Sequence, residues 1–327
     1  MGTLGIVANP SSGKDVRRLV ARASVFDNQE KQAIVRRLLV GATAHGGVRI
    51  IYHDDAHGIV RGAIGEQHIT DATALPSADT RTAFDTIDAA RGLKEAGADV
   101  VITLGGDGTN RAFALGWKDP FLIPISTGTN NVFPILSEAT VAGAAAGLIA
   151  SGKIDPLLVA VQQKTIHVMI DGERDDIALI DAVLCLERFV GARAMLDPDV
   201  LTMALLTRAE PAAVGMTTLG GLLRPLSNRE DFALLLNLNP TAALCLNAPI
   251  APGYYREVGI ESHRLVNFAE EIVVEGPGVL AFDGERERRL LPGQKAWLTV
   301  NRSGPRVIDV PLTLRRAAEY GLFVRNQ

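Results

Sequence analysis

Val101-Ile102-Thr103-Leu104-Gly105-Gly106-Asp107-Gly108-Thr109 is the stretch that decides the reading of this chain. An apolar run from Val100 to Leu104 has the character of a buried strand, and Thr109 opens a helix-like segment. Between them stand three glycines around one aspartate. Glycines let main-chain N–H groups approach an anion, and a helix start adds unpaired N–H groups and a favourable dipole. An acid inside such a cradle repels phosphate unless it holds Mg2+ or takes a proton. The alternative is a tight glycine turn with a surface aspartate. Three glycines around a single acid, directly after a buried strand, favour phosphate chemistry.

Upstream of this stretch, strand-like and helix-like signals alternate. Leu4 to Ala8 and Val48 to Tyr52 are short apolar runs, and His68 to Asp71 is a candidate third strand. Helical periodicity marks Lys14 to Val25, Glu30 to Leu39, a weaker segment from Ala56 to Ile64, and Thr80 to Ala96 with Gly97 as its stop. Asp99 to Leu104 and Phe121 to Ser126 follow as strands. This order predicts a Rossmann-like α/β domain with a parallel sheet over residues 1–135. Ligands of such sheets bind beyond the carboxyl ends of the strands, where the glycine cluster and Ser126 to Asn131 both fall.

The pattern changes after a helix around Ser137 to Ala150, whose Ala and Gly content suits close helix packing. Leu157 to Gln162, Thr165 to Ile170 and Ile177 to Glu187 read as strands. Asp197 to Arg208 and Arg229 to Leu236 read as inserted helices, and Tyr255 to Val310 is again strand-rich. A β-rich, mostly antiparallel substrate domain is expected over residues 136–310. The tail, 311–327, is expected to return as a helix packed on the first domain.

Composition narrows the function classes. At 327 residues and 47% hydrophobic, the chain is long enough for two domains with a substantial core. A net charge of −4 without long runs of one sign gives no electrostatic footprint for nucleic acid or an anionic membrane. No apolar stretch has the length of a membrane span, and Met1 leads straight into a strand-like segment, so a cytoplasmic location is expected. Cys185 and Cys245 sit among apolar neighbours and are expected to be buried thiols. His53 and His57 have i, i+4 spacing, but no third zinc ligand is evident near them.

Three further segments carry chemistry. Asn9-Pro10-Ser11-Ser12-Gly13-Lys14 follows the first strand and reads either as a phosphate loop or as a capped strand-to-helix turn. Ala8 and Asp15 stand where a P-loop needs Gly and a Mg2+-binding hydroxyl, which argues against a P-loop NTPase. Ser126-Thr127-Gly128-Thr129-Asn130-Asn131 gathers hydroxyls and amides one strand beyond the glycine cluster. Phe282-Asp283-Gly284-Glu285 is either an Asp-Gly hairpin turn or a pair of carboxylates brought over a cleft for Mg2+ or acid–base work.

Taken together, the four segments resemble the superfamily that joins NAD kinases with diacylglycerol and sphingosine kinases, with Gly105-Gly106-Asp107-Gly108-Thr109 as the hallmark. Phe189 to Ala194 and Phe282 to Arg286 resemble the NAD-kinase-like group that contains acetoin-catabolism protein X. The resemblance implies an α/β domain and a β-rich domain with a cleft between them, and ATP with Mg2+ as cofactors for phosphorylating a hydroxyl. It implies Asp107, Asp283 and Glu285 as catalytic groups, with Asp107 and Asp283 as Mg2+ ligands. Phosphates would be held by Asn9, Ser11, Ser12, Gly13, Lys14, Gly105, Gly106, Gly108, Thr109, Thr127, Gly128, Thr129, Asn130 and Asn131. The acceptor implied is NAD or a related metabolite, with Asp181 as a substrate contact, and self-association of the chain is expected.

Three departures stand beside it. The Asn-Glu pair of NAD kinases is replaced in Ala178-Leu179-Ile180-Asp181-Ala182, which keeps only an acid. Met216 to Gly221 is a weak analogue of their Thr-rich loop. Gly128-Thr129-Asn130-Asn131 lacks the second Gly and the Asp of the lipid kinases, and no basic amphipathic segment fits a membrane-bound acceptor. A catalytically silent nucleotide-binding regulator is therefore the alternative reading, with a lipid kinase third.

Overall fold

The computed structural model describes residues 2–13, 27–77, 79–128, 131–186 and 197–324, with 285–287 described by backbone alone. The chain opens with β1 (Thr3–Ala8), α1 (Asn28–Thr43), β2 (Arg49–His53), α2 (Ile59–Glu66), β3 (Ala72–Leu75) and α3 (Ala83–Glu95). It continues with β4 (Val100–Gly105), α4 (Asp107–Gly116), β5 (Phe121–Ser126) and α5 (Ala139–Ala150). The second half holds β6 (Ala160–Gln162), β7 (Thr165–Ile170), β8 (Asp176–Ala178), β9 (Asp181–Cys185), β10 (Leu201–Leu206) and α6 (Met216–Leu223). Then come β11 (Phe232–Leu238), β12 (Leu244–Ala251), β13 (Tyr254–Asn267), β14 (Ile272–Glu275), β15 (Gly278–Phe282) and β16 (Glu285–Leu290). The last elements are β17 (Lys295–Asn301), β18 (Arg306–Ile308) and α7 (Val310–Glu319).

The first sheet has the order β3-β2-β1-β4-β5-β18-β6. It is parallel except at its β18–β6 edge, where the chain returns from the second half. The central strands β1 and β4 are buried along their whole length, as expected for a parallel sheet covered on both faces. On one face, α1 and α5 cross closely. A Cβ added at Gly143 would lie 2.0 Å from the Leu38 carbonyl oxygen, and one at Gly147 would lie 2.1 Å from that of Ala42. Glycine is thus required for this approach. Val310 and Ala317 of α7 join the same apolar cluster as α1 and α5, so the tail helix packs on the first sheet.

The second half forms two antiparallel sheets, β12-β13-β11-β10-β9-β15-β16 and β14-β17-β7-β8. Side chains from both meet in one core that includes Ile166, Val168, Leu205, Leu235, Phe282 and Leu298.

The structure corrects several expectations. Within Asp197 to Arg208 and Arg229 to Leu236 the long elements are the adjacent strands β10 and β11, with a single 3-10 turn at Pro198–Val200, and not the expected helices. Both run through the middle of their sheet and bury residues on both faces, so the alternation that betrays a strand is lost. The third strand is Ala72–Leu75, because His68 takes a left-handed conformation (φ 51°) that ends the preceding helix. The segment from Ile177 onward is broken at Leu179-Ile180 into β8 and β9. Cys185 is buried as expected, whereas Cys245 is exposed on the edge strand β12. Lys14 to Val25 lies outside the described residues.

Candidate active site

Three of the four segments converge where β1, β4 and β5 end. The Asn9 side-chain amide donates to the Thr109 hydroxyl at 2.8 Å, and the Asn9 backbone N–H donates to the Leu104 carbonyl. The Thr127 hydroxyl donates to Ser12 Oγ at 2.9 Å. Asn131 Nδ2 donates to Ser126 Oγ at 2.7 Å, and that hydroxyl donates to the Gly128 carbonyl. The first loop is thereby tied to both others across about one hundred residues of sequence (9 to 109, 12 to 127).

Gly105 is needed for this convergence. A Cβ at Gly105 would lie 2.5 Å from the Thr109 Cβ, and one at Gly106 would lie 2.9 Å from Asn131 Oδ1. Thr109 can point back under the loop toward Asn9 only because Gly105 leaves the space. Asp107 is the first residue of α4, with Gly106 at its cap. The backbone N–H groups of Gly108 and Thr109 have no partner within the helix at this end.

A lysine not picked out from the sequence fixes the first loop. Lys31 of α1 is fully buried. Its Nζ donates to the carbonyl oxygens of Asn9 (3.0 Å), Pro10 (3.0 Å) and Ser12 (2.7 Å). The sequence did carry the signal: Lys31 stands on the helical stripe of Ile34, Val35, Leu38 and Ala42, where a charge needs a specific partner.

Asp107 is only partly covered, yet protein surrounds its carboxylate. Val132 N–H donates to both of its oxygens (3.0 and 3.1 Å), and Phe133 N–H donates to Oδ1 at 2.7 Å. Desolvation raises its pKa from 3.8 to about 7, and the nearby Asp283 carboxylate adds to the rise. The amide bonds and the Arg208 charge work in the opposite direction.

Asp283 arrives from the other half of the chain, at the turn between β15 and β16. Its φ is 49° and that of Gly284 is 76°, a tight hairpin turn with two left-handed residues. Leu179, Ile180 and Asp181 N–H groups all donate to its Oδ1, at 3.1, 2.7 and 3.1 Å, and Leu179 also reaches Oδ2 at 2.9 Å. The break between β8 and β9 is what aims these three amides at one acid. Burial pushes the Asp283 pKa up, against the pull of the amides and of Arg111. With both oxygens engaged and the residue buried, Asp283 has the surroundings of a structural clamp. Asp181 contributes its backbone to that clamp, and its side chain is also buried. Lys14, Thr129 and Asn130 lie outside the described residues, as does the side chain of Glu285; Ser11 is exposed, with its N–H on Asn9 Oδ1.

Two arginines join the halves around these acids. Arg111, one turn beyond Asp107, pairs with Asp176 at 2.7 Å in a buried contact and lies 5.2 Å from the Phe282 ring centroid. Arg208, just beyond β10, lies over Phe133 and donates to Gln163. Reading 197–208 as a helix concealed Arg208, which the strand places at a sheet end beside the cleft.

Comparison with known proteins fits this architecture. The chain is 35% identical to acetoin catabolism protein X of Cupriavidus necator over 338 residues, covering 98% of this chain and 93% of that protein. The chain belongs to the acetoin catabolism protein X family. Residues 164–303 match the acetoin catabolism protein X C-terminal domain, and residues 4–154 match the ATP-NAD kinase N-terminal domain. Among solved structures, yeast NADH kinase complexed with NADH is similar at a TM-score of 0.50 and 13% identity, covering 100% of this chain and 89% of that one. A putative diacylglycerol kinase from Bacillus anthracis is similar at a TM-score of 0.49 and 13% identity, covering 94% and 97%. The fold is NAD kinase-like, a kinase-type scaffold.

Proposed function

We propose that this protein is an ATP-dependent kinase that phosphorylates a hydroxyl group of a small molecule. The observation that carries the reading is Asp107, an acid with a proton affinity near neutrality at the mouth of three joined loops. A base with a pKa near the working pH can take a proton from an alcohol as it attacks a phosphoryl group. The backbone N–H groups at the start of α4 and the side chains of Asn9, Thr109, Ser12 and Thr127 line the wall that would receive phosphates. Catalysis at such a site is mostly positioning and charge neutralisation.

Mg2+ fits Asp107 better than Asp283. Oδ2 of Asp107 accepts a single bond and could hold a cation that would supply charge neutralisation, whereas Asp283 is enclosed by amides. Among the described residues no cluster of three or more His, Cys, Asp or Glu side chains that could hold a metal occurs. When bound, Mg2+ would neutralise phosphate charge. Glu285 and Lys14 remain proposed from the sequence pattern.

NAD is the first acceptor to test, because the scaffold is NAD kinase-like, and the name of the Cupriavidus necator relative makes acetoin and its products the second. ADP release across a panel of acceptors, with Asp107→Asn as control, tests the proposal. Turnover in the wild type that Asp107→Asn abolishes is the expected result. A second reading, a nucleotide-binding regulator without turnover, is favoured by one feature: Leu179 to Asp181, where NAD kinases carry Asn-Glu, is committed to clamping Asp283. ATP binding with no ADP release from any acceptor would select it.

A further inference from the structure

Arg208 is a buried cation that the kinase reading leaves unused. The residue is 8% exposed, its Nη2 donates to Gln163 Oε1 at 2.8 Å, and its Nε has no hydrogen-bond partner among the described residues. No carboxylate among the described residues lies within ion-pair distance of it, although Glu210, Asp107 and Asp283 are close enough to favour its charge. Desolvation opposes that charge more strongly than the three acids favour it. A buried guanidinium with an unmet N–H is costly, and such a group persists most readily where a ligand completes it.

Its location specifies the ligand. The guanidinium lies 5.8 Å from the centroid of Phe133, whose backbone N–H binds Asp107. The neighbouring Thr207 hydroxyl donates to the carbonyls of Leu179 and Ile180, whose own N–H groups bind Asp283. Arg208 is therefore connected to Asp107 through Phe133 and to Asp283 through Thr207 and the Leu179-Ile180 segment, and it belongs to the β-rich half. Guanidinium groups bind planar or tetrahedral oxyanions through paired N–H bonds.

We propose that Arg208 receives an oxyanion on the acceptor, a carboxylate or a phosphate, so that the substrate is an anionic alcohol rather than a neutral one. This rests on the kinase reading for the word acceptor, but the anion site itself does not.

The test uses glycerol, glycerate and glycerol 3-phosphate, three alcohols that differ in the presence and type of charge. Binding to the full chain is measured by titration calorimetry and thermal shift, with and without a non-hydrolysable ATP analogue, and ADP release is followed in parallel with ATP. Saturable binding of one or both anions, with none of glycerol, is expected. Arg208→Gln should weaken anion binding about tenfold or more and leave the ATP analogue unaffected, while Arg208→Lys should fall between. If Arg208→Gln does not fold, the comparison of Arg208→Lys with wild type decides. The proposal is overturned if no anion binds the wild type, if the variants bind anions equally well, or if only the ATP analogue is lost. Anion binding through Arg208 without ADP release would sink the kinase reading and leave the site standing. ADP release that is indifferent to Arg208 would do the reverse.

Discussion

Asp107 and Asp283, from opposite halves of the chain, are held in the same way: each carboxylate accepts consecutive backbone N–H groups, Val132 and Phe133 for one, Leu179 to Asp181 for the other. Each receives amide dipoles without a formal countercharge in ion-pair contact among the described residues. Burial then lifts both proton affinities, and each acid carries a different consequence. Asp107 is the less covered residue of the two, whereas Asp283 is closed in and joins the β15–β16 turn to the β8–β9 break.

Asp283→Ala would leave three buried amides without their acceptor and put a Cβ-bearing residue without a local polar side chain at φ 49°. Each unmet donor costs about 1–3 kcal/mol, so a loss of about 3 kcal/mol or more is expected. Asp283→Asn keeps an acceptor oxygen and tolerates the left-handed conformation, and should cost about 1 kcal/mol. Urea unfolding of the two variants checks the ordering; equal losses would mean that the amides find other partners.

The proton affinity of Asp107 makes both stability and activity depend on pH. In the unfolded chain this carboxylate ionises near its ordinary 3.8, and in the fold near 7. Between these values the native state holds more protons, so the contribution of Asp107 to stability is full below the lower value and declines as pH rises toward 7. Asp107→Asn removes the decline. The variant should gain on the wild type between about pH 5 and pH 8, by on the order of 2 kcal/mol. A stability difference constant over that interval would place the proton elsewhere. If Asp107 is the base, turnover should rise with pH along a limb centred near 7.

The parallel sheet and the converging loops were legible because their signals are local. A buried strand ending in Gly105-Gly106-Asp107 names the element and the loop that follows it, and Asn9 and Thr127 follow the neighbouring strands at the same sheet end. The centre of the antiparallel sheet was not legible: β10 and β11 bury both faces, so periodicity could not separate strand from helix. That error also hid Arg208. The role of Asp283 was out of reach for a different reason. Asp-Gly announces a hairpin, but nothing local says that the turn will meet amides about one hundred residues away (|i−j| 102 to 104).

Arg111 carries the contact between α4 and the β-rich half. Its pair with Asp176 is buried on both sides, and Asp176 is shared with Arg288 at 3.2 Å. Removing one partner of a fully isolated buried pair costs about 3–5 kcal/mol; here Asp176 keeps Arg288, so the loss on removing Arg111 should fall below that range. Arg111→Ala should still unfold at lower denaturant, and Arg111→Ala with Asp176→Ala should recover part of the loss. A strictly additive double variant would show that the two do not act as a pair.

Lys31 separates the support of the first loop from the chemistry of the site. Its ammonium accounts for three of the loop's carbonyl oxygens, yet α1 reaches it from behind, away from Asp107 and the hydroxyls of Ser12 and Thr109. Lys31→Met preserves length and apolar stem while removing those donors. Hydrogen bonds to charged groups contribute about 1.5–3 kcal/mol each when lost singly, but the freed carbonyls lie at a partly exposed loop and can turn to water, so the fold should lose about 2 kcal/mol in all. The larger effect is expected on the nucleotide. Asn9 and Ser12 would no longer be held against Thr109 and Thr127, and ATP affinity should fall about tenfold or more, measured by calorimetry. The pH at which turnover reaches half its maximum should stay where Asp107 sets it. A shift of that midpoint, with ATP affinity intact, would mean that Lys31 acts on Asp107 through charge and not on the loop through position.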